Sequence, residues 1–125
     1  MATLVSAETN RNVRAALRGR DLLSIRDLTG DELASLIALG ADIKGRARRY
    51  NGALSETTVA MLFEKPSLRT RVSFEVAAHQ LGAHAIYLAP QEVGLGRREA
   101  ISDVARTLDQ MVHAIVIRTF SHVTL

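Results

Sequence analysis

A dense group of anion-binding side chains occupies one short segment of the sequence, residues 67–71. Ser67 and Thr70 supply hydroxyl donors, and Arg69 and Arg71 supply planar guanidinium groups that can contact phosphate with two bonds at once. The segment follows a short apolar run and precedes a helical pattern, so Ser67 stands where a helix begins. The first N–H groups of a helix lack intrahelical partners and lie at the positive end of its dipole. The segment therefore predicts a phosphate site at a helix start.

The same residues also have an ordinary structural interpretation. A serine N-cap followed by exposed arginines is common, and from the residues alone this alternative is about as favoured as a phosphate site. The segment is neither a P-loop nor a dinucleotide-binding fingerprint, because the glycines that both motifs need are missing here. The residue types alone therefore leave both interpretations open.

Composition narrows the class of protein. The chain has 125 residues, of which 47% are apolar and 23% charged, and this suits one globular domain. The absence of cysteine excludes a disulfide framework and a thiolate metal site. No apolar run reaches the ~20 residues that span a bilayer, and residues 1–20 lack the apolar centre of a secretory signal. We therefore expect a cytoplasmic protein.

The charge of the chain indicates the kind of partner. The net charge is +3, the pI is about 9.9, and arginine carries most of the positive charge, so anionic partners are favoured. Aromatic residues make up only 4%, too few for base-stacking platforms, so a small phosphorylated ligand is favoured over nucleic acid. No metal site is expected, because metal-ligand spacing is absent among the four histidines, His79, His84, His113 and His122.

The elements that would position the segment alternate between helix and strand. The patterns predict a loose arm over 1–20, helices over 31–49, 68–81 and 101–111, strands over 57–63, 83–89 and 114–117, and a loop over 90–98. Such alternation indicates an α/β fold in three layers, with a buried parallel sheet between flanking helices. Ligands of such sheets bind beyond the carboxyl ends of the strands, so we expect the site to combine 64–71, 89–99 and 118–122.

A pair of residues and a single glycine predict two of the helix ends. Thr29 and Glu32 have capping-box spacing, which predicts the start of the first helix. Gly82 follows the second helical pattern directly, which predicts a left-handed helix end there.

A longer stretch around the segment resembles a known family. Residues 63–75, Phe-Glu-Lys-Pro-Ser-Leu-Arg-Thr-Arg-Val-Ser-Phe-Glu, resemble the carbamoyl phosphate motif of the aspartate and ornithine carbamoyltransferases, usually Ser-Thr-Arg-Thr-Arg before a helix that opens Ser-Phe-Glu. Leu68 replaces the usual threonine, a mild departure because the family uses mainly the main chain there. The resemblance covers roughly 21–122. It continues through 80–82, 95–99, Asp103 and 118–122.

Within that family the chain resembles the ornithine branch. Gly-Arg-Arg-Glu at 96–99 and Arg-Thr-Phe-Ser-His at 118–122 are similar to that branch. The aspartate branch has a loop lysine that enters the neighbouring subunit's site, and no lysine occurs over 83–117. The resemblance therefore implies the carbamoyltransferase fold and a reaction with ornithine.

The resemblance also implies a role for each matched residue. The phosphate of carbamoyl phosphate would be held by Ser67, Leu68, Arg69 and Thr70. Arg118 would reach the carbonyl oxygen together with Thr70 and stabilise a tetrahedral oxyanion, while Arg69 offsets charge on the leaving phosphate. The δ-amine of ornithine would attack the carbamoyl carbon, giving citrulline and phosphate in arginine metabolism, without a metal or organic cofactor. Without the resemblance, Arg118 would be interpreted as a surface arginine at a strand end.

Four further residues have a supporting role in this interpretation. Arg71 could contact the substrate, but it is favoured as a brace of the helix start through Glu75, four residues along the helix. In the ornithine branch the loop after the second strand usually offers a Gln or His to the adjacent subunit. Gly94 occupies that place here and has no side chain, so Gln91, three residues earlier, is the other candidate for this contact.

The resemblance reaches only part of the family's length. The later motifs, a His-Pro-x-Gln turn, an Asp with Ser-Met-Gly and a His-Cys-Leu-Pro segment, do not occur in the sequence. We expect residues 21–125 to be an incomplete carbamoyl phosphate-binding domain, with the ornithine-binding domain absent. The parent is expected to be a homotrimer that binds carbamoyl phosphate and L-ornithine, and neither nucleic acid nor membrane. The alternatives are an aspartate carbamoyltransferase fragment and a non-catalytic remnant that binds phosphate or another subunit; a nucleic-acid binder rests on the pI alone.

Overall fold

A computed structural model describes residues 15–94 and 98–122 of the chain. The chain divides into two compact units, Met1–Arg49 and Tyr50–Leu125. Most of the predicted arm, residues 1–14, lies outside the described residues, and residues 15–17 are helical. Each unit is therefore described by itself.

The main element described in the first unit is helix α1 (Gly30–Gly45). Its start is the predicted capping box: Thr29 Oγ1 accepts from the Glu32 N–H at 3.2 Å, and Glu32 Oε2 accepts from the Thr29 N–H at 2.7 Å. The carboxylate of Glu32 also pairs with Arg20 at 2.8 Å. A short 3₁₀ helix at Ile25–Asp27 precedes α1.

The end of α1 differs from the prediction of a helix to residue 49. The helix stops at Gly45, and the backbone N–H of Arg46 closes it by donating to the carbonyls of Asp42 and Ile43. A separate 3₁₀ helix follows at Ala47–Tyr50. Glycine has a low helix propensity, which explains why the helix ends at Gly45. The prediction wrongly assigned the arginines that follow to the helix.

The second unit contains the predicted parallel sheet. Its described elements are β1 (Thr58–Phe63), α2 (Leu68–Leu81), β2 (His84–Leu88), the short α3 (Pro90–Val93), α4 (Ile101–Asp109) and β3 (Ala114–Arg118). Within the described residues, the three strands form one parallel sheet in the order β2-β1-β3. The α/β architecture with flanking helices is confirmed, and the carboxyl ends of all three strands lie at one edge.

The central strand supplies most of the buried core. Ala60, Met61, Leu62 and Phe63 are each at most 5% exposed, as expected for a strand covered on both faces. The edge strand β3 was also predicted to be buried, and this was wrong: Ile117 is 40% exposed. An apolar run shows that a strand can be buried, but its place in the sheet decides whether both faces are covered.

Helix α2 ends where the sequence predicted. Gly82 adopts a left-handed conformation with φ +88°, and its N–H donates to the Ala78 and His79 carbonyls. A Cβ atom here would lie 2.9 Å from the Cα of Gly52. Gly82 is therefore required both by its backbone angle and by a close approach of two chain segments.

The connection after β2 was predicted as a loop over 90–98, and this is wrong for its first part. Residues Pro90–Val93 form α3, which begins with proline at a favourable first helical position. The backbone N–H of Glu92 donates to the Ala89 carbonyl at 3.0 Å, and the Glu92 carboxylate accepts from the Ala89 N–H at 3.3 Å. Residues 95–97 of the predicted loop lie outside the described residues.

Helix α4 is shorter than predicted, because it ends at Asp109 and leaves Met111 in the following turn. Nowhere in residues 15–94 and 98–122 does the structure contain a helix of the length and apolarity needed to cross a membrane.

Candidate functional site

The site is built where β1 and β3 end side by side. Phe63, the last residue of β1, pairs with Arg118, the last residue of β3. The ladder continues one step further, because the backbone N–H groups of Glu64 and Lys65 donate to the Arg118 carbonyl at 2.8 and 3.4 Å. The segment that leads into α2 is thus tied to the last residue of the third strand, at the edge where the sequence predicted a ligand.

Ser67 is the N-cap of α2. Its Oγ accepts from the Thr70 N–H at 3.4 Å and donates to Thr70 Oγ1 at 2.8 Å. Because this cap occupies the Thr70 amide, the free helix-start amides are those of Leu68 and Arg69, which have no intrahelical acceptor. The hydroxyl hydrogen of Thr70 is not used in its bond with Ser67, so it can serve another acceptor. The capping and anion-binding interpretations are therefore compatible.

The two arginines of the segment have different surroundings. Arg69 is exposed, and its side chain makes no hydrogen bond or ion pair with any of the described residues. Arg71 donates to Glu75 Oε1 at 2.9 Å, and its guanidinium carbon lies 3.7 Å from the centre of the Tyr87 ring. Arg69 is thus available to a ligand, whereas Arg71 is held on the protein.

Tyr87 was not singled out from the sequence. Its ring meets Phe63 edge to face, with 5.8 Å between the ring centres, so it links the end of β1 to the guanidinium group of Arg71. The signal available in the sequence was an aromatic residue near the carboxyl end of a strand, which by itself is common.

Arg118 carries an unusual buried donor. Its Nη1 atom is buried and has no hydrogen-bond partner among the described residues. Buried polar groups are nearly always paired in proteins, and a charged donor without a partner is especially costly. A bound group with an acceptor oxygen would satisfy this donor. The structure therefore disfavours the interpretation of Arg118 as an ordinary surface arginine.

Glu64, which the sequence interpretation left without a role, joins the two loops of the site. Its Oε2 atom accepts from the Thr119 hydroxyl at 2.5 Å and from the Phe120 N–H at 3.1 Å. These two bonds, first that of Thr119 and then that of Phe120, hold the pKa of the Glu64 carboxyl below its ordinary value. Glu64 is thus a charged acceptor at neutral pH.

The loop after β2 places Gln91 and Gly94 on the same edge of the sheet. Gln91 is exposed on α3. Gly94 has φ +64°, and a Cβ there would lie 2.9 Å from Arg98 Cβ. The backbone therefore favours glycine at the position where the family usually has a side chain. A cross-subunit contact from either residue stays a prediction.

One face of α2 forms an open, largely apolar groove of about 660 Å³ beside Arg69. Leu68, the residue that departs from the family motif, is 79% exposed within it. The other lining residues are Val72, Ser73, Val76, Ala77 and Gln80.

In the part of the chain that the structure describes, no group of three or more His, Cys, Asp or Glu side chains could hold a metal ion. His113 has a structural contact instead: its Nδ1 accepts from the Thr58 N–H at 3.1 Å, at the start of β1.

Comparison with known proteins gives the same assignment for most of the chain. Residues 20–125 match the family described as aspartate/ornithine carbamoyltransferase, carbamoyl-P binding domain. The ornithine carbamoyltransferase of Anoxybacillus flavithermus is 45% identical over 116 residues, and that of Geobacillus stearothermophilus is 48% identical over 114 residues. These matches cover 90% and 89% of this chain, but only 37% and 36% of the relatives.

Solved structures agree with the sequence comparison. The ornithine carbamoyltransferase of Pyrococcus furiosus superposes with a TM-score of 0.81 at 43% identity, over 86% of this chain and 35% of that one. The chain thus spans little more than a third of the length of its relatives. With the helix start, the parallel sheet and the family match in agreement, the chain belongs to the aspartate/ornithine carbamoyltransferase family, and its residues 20–125 match the carbamoyl-P binding domain of that family.

Proposed function

We propose that this chain is the carbamoyl phosphate-binding part of an ornithine carbamoyltransferase. In the complete reaction, the δ-amine of ornithine attacks the carbamoyl carbon of carbamoyl phosphate. A tetrahedral oxyanion forms, the bond to the bridging phosphate oxygen breaks, and citrulline and phosphate are released. The similarity to proteins named ornithine carbamoyltransferase, at 45% and 48% identity, favours ornithine over aspartate as the co-substrate.

The observation that carries the proposal is the buried Nη1 of Arg118, unpaired among the described residues, on a strand end that pairs with Phe63, four residues before the N-cap of α2. A cationic donor without an acceptor and a helix start with two free amides stand at the same strand ends. A ligand that combines a phosphate group with a second acceptor oxygen would satisfy both features, and carbamoyl phosphate has both groups.

The proposed roles follow from this arrangement. The amides of Leu68 and Arg69 and the guanidinium group of Arg69 hold the phosphate, and they stabilise its growing charge as it leaves. Arg118 and the hydroxyl of Thr70 donate to the carbonyl oxygen, where negative charge develops in the transition state. A preorganised donor of this kind typically contributes about 3 kcal/mol. Ser67 caps the helix and holds the Thr70 hydroxyl in place.

The test is calorimetric titration of the chain with carbamoyl phosphate and with inorganic phosphate. We expect both ligands to bind. Arg69→Ala should lower the affinity for each by roughly ten- to one-hundredfold, because a charge-assisted hydrogen bond contributes about 1.5–3 kcal/mol. Arg106→Ala is the matched control, since Arg106 is an exposed arginine of α4 that pairs only with Asp103 among the described residues. Equal binding by the wild type and the Arg69 variant would reject the assignment.

We further propose that the parent protein is a cytoplasmic homotrimer, as the family resemblance implies. Exposed apolar side chains along α2, including Leu68, Val72 and Val76, support an interface between subunits. Light scattering during size-exclusion chromatography measures the mass directly. A protein that stays monomeric at high concentration would contradict the trimer without affecting the proposed phosphate site.

A further inference from the structure

We propose that Glu64 is a positioning residue that sets the place of Arg118 in the site. This inference rests on the proposed function, because it assigns Glu64 a part in holding the donor for the carbonyl oxygen of carbamoyl phosphate. Glu64 itself would not touch the ligand. Its role is to fix the backbone on both sides of Thr119, and through it the direction in which the Arg118 side chain leaves β3.

The geometry shows a closed ring of hydrogen bonds between the two loops. The Glu64 N–H donates to the Arg118 carbonyl at 2.8 Å, and the Glu64 carboxylate accepts from the Thr119 hydroxyl and the Phe120 N–H at 2.5 and 3.1 Å. A single residue thus binds three consecutive residues of the other loop. Thr119 Oγ1 also accepts from the Ser121 N–H at 3.3 Å, which carries the order one residue further.

These hydrogen bonds lie just beyond the carboxyl end of β3, where strand pairing stops. The regular pairing of β3 with β1 ends at Phe63 and Arg118, so residues 119–122 have no strand partner in the part of the chain that the structure describes. An arginine side chain has several rotatable bonds, and the position of its Cα decides which of its conformations place the guanidinium group in the site. The sheet holds Arg118 itself, and the carboxylate of Glu64 takes the place of strand pairing at Thr119 and Phe120, so the backbone is fixed on both sides of the Arg118 Cα.

A purely structural role for Glu64 predicts something different. The exposed Phe120 ring also lies 5.8 Å from the Lys65 ammonium group, so this turn has other contacts that would keep it folded. If Glu64 only stabilised the fold, its loss would lower the affinity for every ligand by the same factor. If Glu64 positions Arg118, its loss affects the group bound by Arg118 and spares the phosphate held by the helix start.

The experiment compares two ligands that differ in the group read by Arg118. Carbamoyl phosphate and inorganic phosphate are titrated against the wild-type chain, Glu64→Ala and Glu64→Gln. We expect Glu64→Ala to lower the affinity for carbamoyl phosphate on the order of tenfold and that for inorganic phosphate less than about twofold, since small displacements of a binding group have large effects. Glu64→Gln should restore part of the loss, because its amide oxygen can accept the same two bonds.

Asp109→Asn is the matched control. Asp109 ends α4, which leads to the amino-terminal end of β3 at the opposite edge of the sheet, so its variant should bind both ligands like the wild type. Thr119→Val removes one donor of the ring and should lower carbamoyl phosphate affinity less than Glu64→Ala does. Combined with Glu64→Ala, it should add little, because both changes break the same bond.

Each outcome decides between the interpretations. A wild type that binds both ligands, with Glu64→Ala weakening them equally or not at all, overturns the positioning role and leaves the proposed function intact. A wild type that binds neither ligand overturns the proposed function, and the positioning role falls with it. If Glu64→Ala does not fold, as circular dichroism would show, Glu64→Gln and Thr119→Val give the same ratio measurement, and an unchanged ratio in both overturns the role.

Discussion

The buried Nη1 of Arg118 predicts a conflict between stability and ligand binding. The atom is buried without a partner in the described residues, and an unsatisfied buried polar group costs about 1–3 kcal/mol. The residue as a whole is only half-buried, so the lower end, about 1 kcal/mol, applies. Arg118→Met keeps most of the side-chain volume and removes the donor. We expect this variant to raise the free energy of unfolding by about 1 kcal/mol and the Tm by about 4 °C.

The assay is thermal and urea unfolding followed by circular dichroism, with and without carbamoyl phosphate. The control is Arg106→Met, because the Arg106 side chain is 80% exposed and its replacement should change stability by less than about 0.5 kcal/mol. The same concentration of carbamoyl phosphate should raise the Tm of the wild type and of the control more than that of the Arg118 variant, which keeps only the phosphate contacts at the helix start. An Arg118→Met protein that is less stable than the wild type and the Arg106→Met control would refute the reasoning. It would show that the Arg118 side chain has hydrogen-bond partners in the folded chain.

Two further predictions follow from the connections between segments. Gly82→Ala should lower the free energy of unfolding by about 2–4 kcal/mol in urea titrations, because φ is +88° and the new Cβ would lie 2.9 Å from Gly52 Cα. Gly40→Ala is the control: no atom lies within 4 Å of its new Cβ, so it should stabilise α1 by up to about 1 kcal/mol. Equal changes in the two variants would contradict the reasoning. The lowered pKa of Glu64, due first to the Thr119 hydroxyl, stabilises the fold above the ordinary value of about 4.3, and this contribution is lost as the pH falls through the folded pKa. Acid unfolding of Glu64→Gln should therefore show a weaker pH dependence below about pH 5 than that of the wild type, and identical acid profiles would rule out the carboxylate as a contributor.

Local signals predicted the elements that carry the helix start. Thr29 and Glu32 form the expected capping box, Ser67 caps α2, and Gly82 ends it in the left-handed conformation. Each of these features depends on residues within three or four positions of one another, so the sequence contains nearly all of the physical cause. The central strand was also identified correctly, because a continuous apolar run is typical of a strand with both faces covered.

The errors occurred where several weak local preferences competed. The arginines after Gly45 suggested a longer α1, yet glycine and the bonds made by the Arg46 N–H end the helix earlier. Gly94 and Gly96 suggested a loop over 90–98, although proline at a first helical position permits the short α3 at its start. The apolar residues of β3 suggested burial, but the strand lies at the edge of the described sheet. Local bonds decided the ends of the two helices, and only for β3 did the arrangement of neighbouring strands decide the outcome.

The sequence by itself determined the α/β order of elements, the capped start of α2 and the group of anion-binding residues there, because local periodicity and short motifs encode them. Only the tertiary structure decided that Arg118 has a buried, unpaired donor and that Glu64 binds the turn after it. Glu64 and Thr119 are 55 residues apart, and no pattern along the chain specifies a contact at that distance. The contact arises because β1 and β3 pair in parallel and in one register, which places their carboxyl ends, and the residues that follow them, side by side.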